Sequence, residues 1–197
     1  WSKPGRWNKV AAATGERLRV FTCSMSDFFH AGADDWRDEA WKVIRDCPNL
    51  DWLVLTKRPE LIADRLPADW GDGYANVWLG VTVGSRSSLW RLNVLRDIPA
   101  AIKFVSAEPL LERLDLRQHL SWLDWVITGC DRAAKGKRRR MDLDWVRDLD
   151  RQCREAGVPH FFKQAYDTVE GVEIGTPNVL PLLDGRVVQN FPRQKGR

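Results

Sequence analysis

Six short apolar runs recur along the chain, with polar segments between them. They are rich in β-branched and aromatic residues, and they predict strands over residues 18–22, 52–55, 77–83, 102–105, 125–128 and 160–162. Each run is continuous rather than alternating, which is typical of parallel strands covered on both faces. The pattern therefore indicates a sheet buried between other layers.

Segments with helical spacing separate these runs. Trp36, Ala40 and Ile44 recur every four residues and share one face of a predicted helix. Further helices are predicted over residues 59–66, over 85–95, and from residue 142 or 144 up to Gly157, which would cap it. This alternation of strand and helix predicts right-handed crossovers, a parallel sheet and the α/β class.

Two architectures are compatible with this order, an open doubly wound sheet and a barrel. The predicted strands are not followed by a Gly-rich phosphate loop, and Gly80 is a lone glycine inside a strand. That weakens the doubly wound alternative. We therefore predict repeated βα units with parallel strands in a partial TIM-like (β/α) barrel of six strands, with a seventh missing.

One domain is expected over residues 1–197, and residues 165–197 are predicted to form an irregular C-terminal tail. Within this tail, Asp184-Gly185 predicts the turn of a hairpin. The chain opens at Trp1 rather than Met, and a loop is expected at Lys3-Pro4-Gly5. We therefore expect that the domain is truncated at its N-terminus.

Composition adds a mild basic bias. The net charge is +4 and the isoelectric point about 9.0, which is compatible with a nucleic-acid partner and with many enzymes. No apolar stretch reaches transmembrane length and no signal-peptide pattern is present, so a cytoplasmic protein without a membrane partner is expected. The four cysteines lie far apart, which predicts reduced thiols and no metal site.

Polar residues gather where the predicted strands end, which is where parallel barrels place their chemistry. The candidate catalytic residues are Glu108, Lys163 and Asp27, because carboxylates can move protons and lysine can hold an anion. The candidate cofactor-binding residues are Ser24, Ser26, Thr56, Lys57, Arg58, Thr82 and Ser106. The alternative is that these side chains cap helices or lie in solvated loop ends.

Five cations lie in the loop after the fifth predicted strand, and they form the basic loop. They are Lys135, Lys137, Arg138, Arg139 and Arg140. Beside the strand ends, such a run can contact the phosphate backbone of a nucleic acid. A solvated loop is the usual role of a charge run, and the sequence leaves both alternatives open.

Six ordered motifs carry a family resemblance. They read FTCSMSDFFH at 21–30, LTKRPE at 55–60, NVWLGV at 76–81, FVSAEPLL at 104–111, DWVI at 124–127 and FFKQ at 161–164. Together they resemble the phage gene-product 37/68 family, proteins of unknown function from phages and bacteria. The resemblance covers nearly the whole chain to about Gln164.

The resemblance implies a radical S-adenosylmethionine-like partial barrel. Members of that family usually begin with a three-cysteine segment, at a place that lies upstream of Trp1 in this chain, and such a segment would hold a four-iron cluster. The candidate residues at the strand ends would then bind S-adenosylmethionine and substrate. This chain departs from the family at Gly84, where an acidic residue is usual, and at residues 128–131, where Gly-Gly-Glu-Ser is usual.

The expected function is therefore a phage-related, radical S-adenosylmethionine-like barrel that modifies or binds a nucleic acid or nucleotide. It would be a radical S-adenosylmethionine enzyme if the upstream cysteine segment exists. One alternative is a non-catalytic nucleic-acid-binding barrel. Another is a cluster-free barrel enzyme that acts on a phosphorylated small molecule.

This chain alone is expected to bind no iron–sulfur cluster, because Cys23, Cys47, Cys130 and Cys153 lie too far apart in sequence to form the usual ligand segment. Anaerobic reconstitution with iron and sulfide, followed by analysis of both elements, checks this expectation. A brown protein with stoichiometric iron and sulfide would contradict it.

Overall fold

A computed structural model describes residues 2–23, 26–133, 137–166, 173–176 and 179–193. In these segments the helices are α1 (Ser2–Thr14), α2 (Asp34–Asp46), α3 (Trp90–Arg96) and α4 (Leu143–Ala156). The strands are β1 (Leu18–Thr22), β2 (Leu50–Thr56), β3 (Val77–Thr82), β4 (Ile102–Ala107), β5 (Trp125–Gly129), β6 (His160–Tyr166), β7 (Glu173–Ile174), β8 (Leu182–Leu183) and β9 (Arg186–Val187).

The main sheet follows the order of the chain. Strands β1 to β6 run parallel and are neighbours in sequence order, and helices lie between them along the chain. This confirms the predicted α/β class and its partial (β/α)-barrel character. Strand β7 extends the sheet by pairing antiparallel with β6, whereas β8 and β9 form a separate hairpin that turns at Asp184-Gly185, as predicted.

The predicted strands are confirmed, but several local predictions are wrong. The expected loop at Lys3-Pro4-Gly5 lies inside α1, where Pro4 falls in the first turn and its missing backbone N–H is tolerated. The predicted helix over 59–66 is instead two 3-10 turns, Pro59–Leu61 and Ala63–Arg65. The predicted helix over 85–95 begins as a 3-10 turn, and α3 starts only at Trp90.

The described residues divide into two compact units. The first contains residues 2–81 and 93–103, and the second contains 82–92 and 104–193. In the first unit the inner face of α2 carries Trp41 and Ile44, each 1% exposed. Trp41 packs edge-on against Phe28 and donates its indole N–H to the carbonyl of Arg65 at 3.0 Å, which satisfies its polar atom inside the core.

In the second unit α4 packs on the parallel strands through Val146, Leu149 and Cys153, all fully buried. Asp142 caps its first turn by accepting a hydrogen bond from the Asp144 N–H, and Gly157 ends it in the left-handed conformation. Both caps agree with the sequence prediction. No helix within the described segments is long and apolar enough to cross a membrane.

A buried polar chain ties α4 to the sheet. Nδ1 of His160 lies 3.0 Å from a carboxylate oxygen of Asp150, and Nε2 lies 2.9 Å from the hydroxyl of Thr128. All three residues are at most 4% exposed. Because a carboxylate only accepts, Nδ1 donates to Asp150, and in the neutral ring Nε2 accepts from Thr128. The second unit therefore depends on His160 to satisfy two buried groups.

Replacing His160 with Phe should lower the free energy of unfolding by about 2–4 kcal/mol, because one oxygen of a buried carboxylate and a buried hydroxyl lose the ring that contacts them. The midpoint of urea unfolding measures this loss. Arg154→Ala is the matched control, since Arg154 binds the same carboxylate from a side chain that is 61% exposed, and it should cost less than about 1 kcal/mol. Equal midpoints for both variants would contradict the role given to His160.

Candidate functional site

The second unit holds a polar cluster where β4 and β6 approach their ends. Glu108 directly follows β4, and its carboxylate accepts hydrogen bonds from Nζ of Lys163 at 2.9 and 3.1 Å and from Nε2 of Gln164 at 3.0 Å. The side chains of Glu108 and Lys163 are 18% and 41% exposed. The ion pair is thus half-buried and still open to solvent.

A shift in strand pairing explains why two consecutive residues reach one carboxylate. Thr128 of β5 pairs with Phe162, but the next residue, Gly129, pairs with Gln164, so Lys163 is extra. Consecutive side chains of a regular strand point to opposite faces. A bulge re-aims side chains and is common beside active sites, and here it allows both Lys163 and Gln164 to contact Glu108.

Gly129 provides the space for this cluster. A Cβ atom at this position would lie 3.2 Å from Cγ of Glu108 and 3.3 Å from Cγ of Gln164, so a side chain would push these groups apart. Gly84 is still more restricted, since its Cβ would lie 2.1 Å from the carbonyl oxygen of Pro109. The acidic residue that the resemblance would lead one to expect at position 84 does not fit this backbone.

The cations of the basic loop differ in the contacts that they make. Arg138 lies over the ring of Tyr166, with the guanidinium carbon 4.0 Å from the ring centre, and donates to the carbonyl of Ala133 at 2.7 Å. Arg139 donates to the carboxylate of Asp131 at 2.7 Å. Lys137 and Arg140 are exposed. Lys135 lies outside the described residues.

The pair of Asp131 and Arg139 shapes the loop. Asp131 is 7% exposed, and it also accepts the backbone N–H of Ala133 at 3.0 Å. The hydrogen bond from Arg139 is the main cause that lowers the pKa of Asp131 below its ordinary value, while burial opposes it. Asp131 therefore connects two parts of the loop, because its carboxylate accepts hydrogen bonds from both Ala133 and Arg139.

In the first unit, Asp27 joins the ends of β1 and β2. Its carboxylate accepts hydrogen bonds from the hydroxyl of Thr56 at 2.7 Å and from the backbone N–H groups of Lys57 and Phe29 at 3.0 Å each. Arg58 adds an ion pair at 3.0 Å. Burial raises the pKa of Asp27, but these donors outweigh it and the pKa lies below its ordinary value.

The remaining candidate residues differ in exposure. Thr56, Thr82 and Ser106 are at most 4% exposed, whereas Ser26 and Lys57 are exposed. Ser24 lies outside the described residues. The residues predicted to be catalytic thus form two groups, Asp27 in the first unit and Glu108 with Lys163 in the second. Their catalytic and cofactor-binding roles stay predictions.

Several residues that shape these two clusters were not among the predicted site residues. Gln164 was expected only as a polar residue after a strand, and Gly129 and Tyr166 carried no predicted role. The predicted sixth strand covered only three apolar residues, which is too few to show where its pairing shifts. The sequence therefore could not predict that Lys163 and Gln164 contact the same carboxylate. Tyr166 was missed because the sixth strand was predicted to end at residue 162.

The first unit also contains an apolar cavity of about 400 Å³. It is lined by Val20, Thr22, Cys23, Phe28, Trp36, Ala40, Val43, Ile44 and Trp52. This lining carries no charged side chain, and its polar groups are the hydroxyl of Thr22, the thiol of Cys23 and the indole N–H groups of Trp36 and Trp52. Glu108 and its partners are the better candidate for a reaction site.

A family model described as a protein of unknown function, DUF5131, matches residues 1–192. The chain belongs to the DUF5131 family. No curated protein and no solved structure shows significant similarity to it. The expected relation to phage gene products and to radical S-adenosylmethionine chemistry stays a prediction.

The described part of this DUF5131 chain does not fit an iron–sulfur cluster. Its described residues contain no group of three His, Cys, Asp or Glu side chains that could hold a metal ion. Cys47, Cys130 and Cys153 are buried. Burial raises the pKa of Cys153 to about 12, which disfavours the thiolate that a metal requires.

Replacing Asp27 with Asn should destabilise the DUF5131 chain by about 1–3 kcal/mol at pH 7, because four donors lose a charged acceptor. The folded-state pKa of Asp27 is lowered, so its stabilising effect is present above the ordinary pKa of about 3.9 and is lost as pH falls through the folded pKa. Urea unfolding at pH 7 and at about pH 3 measures the change. The difference in free energy of unfolding between wild type and variant should become smaller at low pH.

Asp64→Asn is the control, because Asp64 is exposed. It should change the unfolding midpoint little at either pH. A gap between wild type and Asp27→Asn that stays constant down to the lowest pH would exclude the charge of Asp27 as the cause.

Proposed function

We propose that the protein binds nucleic acid through its basic loop and acts on a nucleotide at the cluster of Glu108, Lys163 and Gln164. The observation that carries this proposal is that one strand, β6, bears both features. Gln164 contacts Glu108, and Tyr166 contacts Arg138 of the loop. Residues two apart on a strand share a face and lie roughly 7 Å apart, so a nucleotide can reach both.

The two parts of this surface have complementary roles. Lys137 and Arg140 are exposed cations that can neutralise phosphates and release their counterions. The carboxylate of Glu108 can accept a proton from a hydroxyl or amine, and the ammonium of Lys163 can hold an anionic oxygen. Nζ of Lys163 lies 2.9 Å from a carboxylate oxygen of Glu108, so both groups are available at the same place.

S-adenosylmethionine is the proposed cofactor, on the strength of the resemblance to a radical S-adenosylmethionine-like family. The described residues do not fit the iron–sulfur cluster that radical chemistry needs. When bound, S-adenosylmethionine would supply a transferable group.

Binding of nucleic acid tests the proposal. Fluorescein-labelled 15-nucleotide single strands and duplexes of the same length are titrated with protein over a range of salt concentrations. The double variant Lys137→Ala/Arg140→Ala should bind more weakly. For a single strand, the salt slope, which is the slope of log affinity against log salt concentration, should become shallower by up to about 1.4, since each phosphate contact contributes about 0.7. Stability should change little, because exposed charges contribute about 0–1 kcal/mol each.

The matched control is Lys3→Ala/Lys9→Ala, which removes the same charge from exposed positions on α1. It should leave affinity and salt slope near wild type. Equal losses in both double variants would show that only net charge matters and would refute a specific role for the loop.

The catalytic part is tested separately with Glu108→Gln. Nucleosides from cells that produce wild type or the variant are compared by mass spectrometry, and a modified nucleoside should depend on wild type. Nucleic-acid binding without such a nucleoside would support the non-catalytic alternative. Binding of nucleoside monophosphates but of no oligonucleotide would support the small-molecule alternative.

A further inference from the structure

Arg138 lies over the ring of Tyr166, the last residue of β6. The guanidinium carbon lies 4.0 Å from the centre of the ring, which is well within the range of a cation–π contact. Arg138 is nevertheless exposed, and Tyr166 is half-buried. The guanidinium therefore lies over the ring in a side chain that is exposed to solvent as a whole.

We propose that this pair is a stacking platform for one unpaired nucleobase, and that the protein therefore prefers single-stranded nucleic acid. This inference rests on the proposed nucleic-acid binding and names its substrate class. Unstacked bases bind to aromatic side chains and to the planes of arginine guanidinium groups. Bases in a duplex are already stacked on each other, so they cannot use such a platform.

The position of the pair supports this assignment. Exposed Lys137 and Arg140 flank Arg138 within the loop, so the backbone on either side of a stacked base would meet a cation. On the other side, Gln164 and Tyr166 share a face of β6, and Gln164 contacts Glu108. A base on the platform would thus leave a neighbouring nucleotide near the polar cluster.

A purely structural role is the competing explanation. Arg138 also donates to the carbonyl of Ala133, so the pair could serve only to hold the loop. The two roles differ in one measurable respect. If the pair only supports the loop, its loss should lower the affinity for every oligonucleotide equally. If it is a stacking platform, its loss should lower the affinity only for ligands that carry bases.

The experiment compares a 15-nucleotide oligothymidylate with an abasic oligonucleotide of the same length and charge. Wild type should prefer the strand with bases, and Tyr166→Ala should lower affinity for that strand by roughly 5- to 150-fold, the range for loss of one base–aromatic stack. The variant should bind the abasic strand as wild type does. Tyr166→Phe keeps the ring and should retain the preference.

Arg138→Lys provides a second measurement, because it keeps the charge but loses the planar group. It should reduce the preference for bases while leaving the salt slope unchanged. Circular dichroism and the urea midpoint verify that each variant is folded, and Arg138→Lys keeps the test decisive if Tyr166→Ala does not fold.

The outcomes separate this inference from the function on which it rests. If Lys137→Ala/Arg140→Ala weakens binding but wild type binds both strands equally, the protein binds nucleic acid and the platform is refuted. Equal losses on both strands in Tyr166→Ala would assign the pair to loop support. Absence of binding to either strand by wild type would refute both proposals.

Discussion

The register shift between β5 and β6 is the constraint on which the second unit's polar cluster depends. Without the extra residue at Lys163, neighbouring side chains of β6 would alternate between the faces of the sheet. With it, Lys163 and Gln164 reach the same carboxylate. The buried contact of Thr128 with His160 lies immediately before the shift. A buried side-chain contact between β5 and β6 thus lies next to the point at which their regular pairing ends.

Two carboxylates at strand ends show how surroundings decide chemistry. Asp27 accepts four hydrogen bonds, two of them from backbone N–H groups, and this lowers its pKa below the ordinary value against the effect of burial. Such a group holds loops together. Glu108 is held by two side chains that are long enough to move. A ligand can replace those contacts without unfolding the backbone, which suits a site of binding or reaction.

The fold could be predicted from the sequence because its strands are continuous apolar runs. β2 and β3 are buried along nearly their whole length, and short continuous runs rich in β-branched and aromatic residues are typical of such strands. α1 was missed because its residues are polar on most faces and only Ala11 is buried. Its Pro and Gly, which usually mark loops, concealed the helix.

The candidate site could be predicted only in part. Glu108 and Lys163 follow or end buried strands, and a long charged side chain there needs a partner. That they are each other's partner depends on a backbone irregularity and on Gly129, neither of which has a sequence signature. The basic loop was visible as a charge run, but its division between Arg138, Arg139 and the exposed cations depends on where Tyr166 and Asp131 lie.

Gly129 has a consequence for how this protein can change over time. A single methyl group there would act on the gap between Glu108 and Gln164 rather than on the apolar core. Most substitutions in a buried strand reveal themselves by lowering stability. At this position the atoms that must give way belong to the Glu108 and Gln164 side chains, so successive substitutions at residue 129 would vary the spacing of the polar cluster before they reach the core.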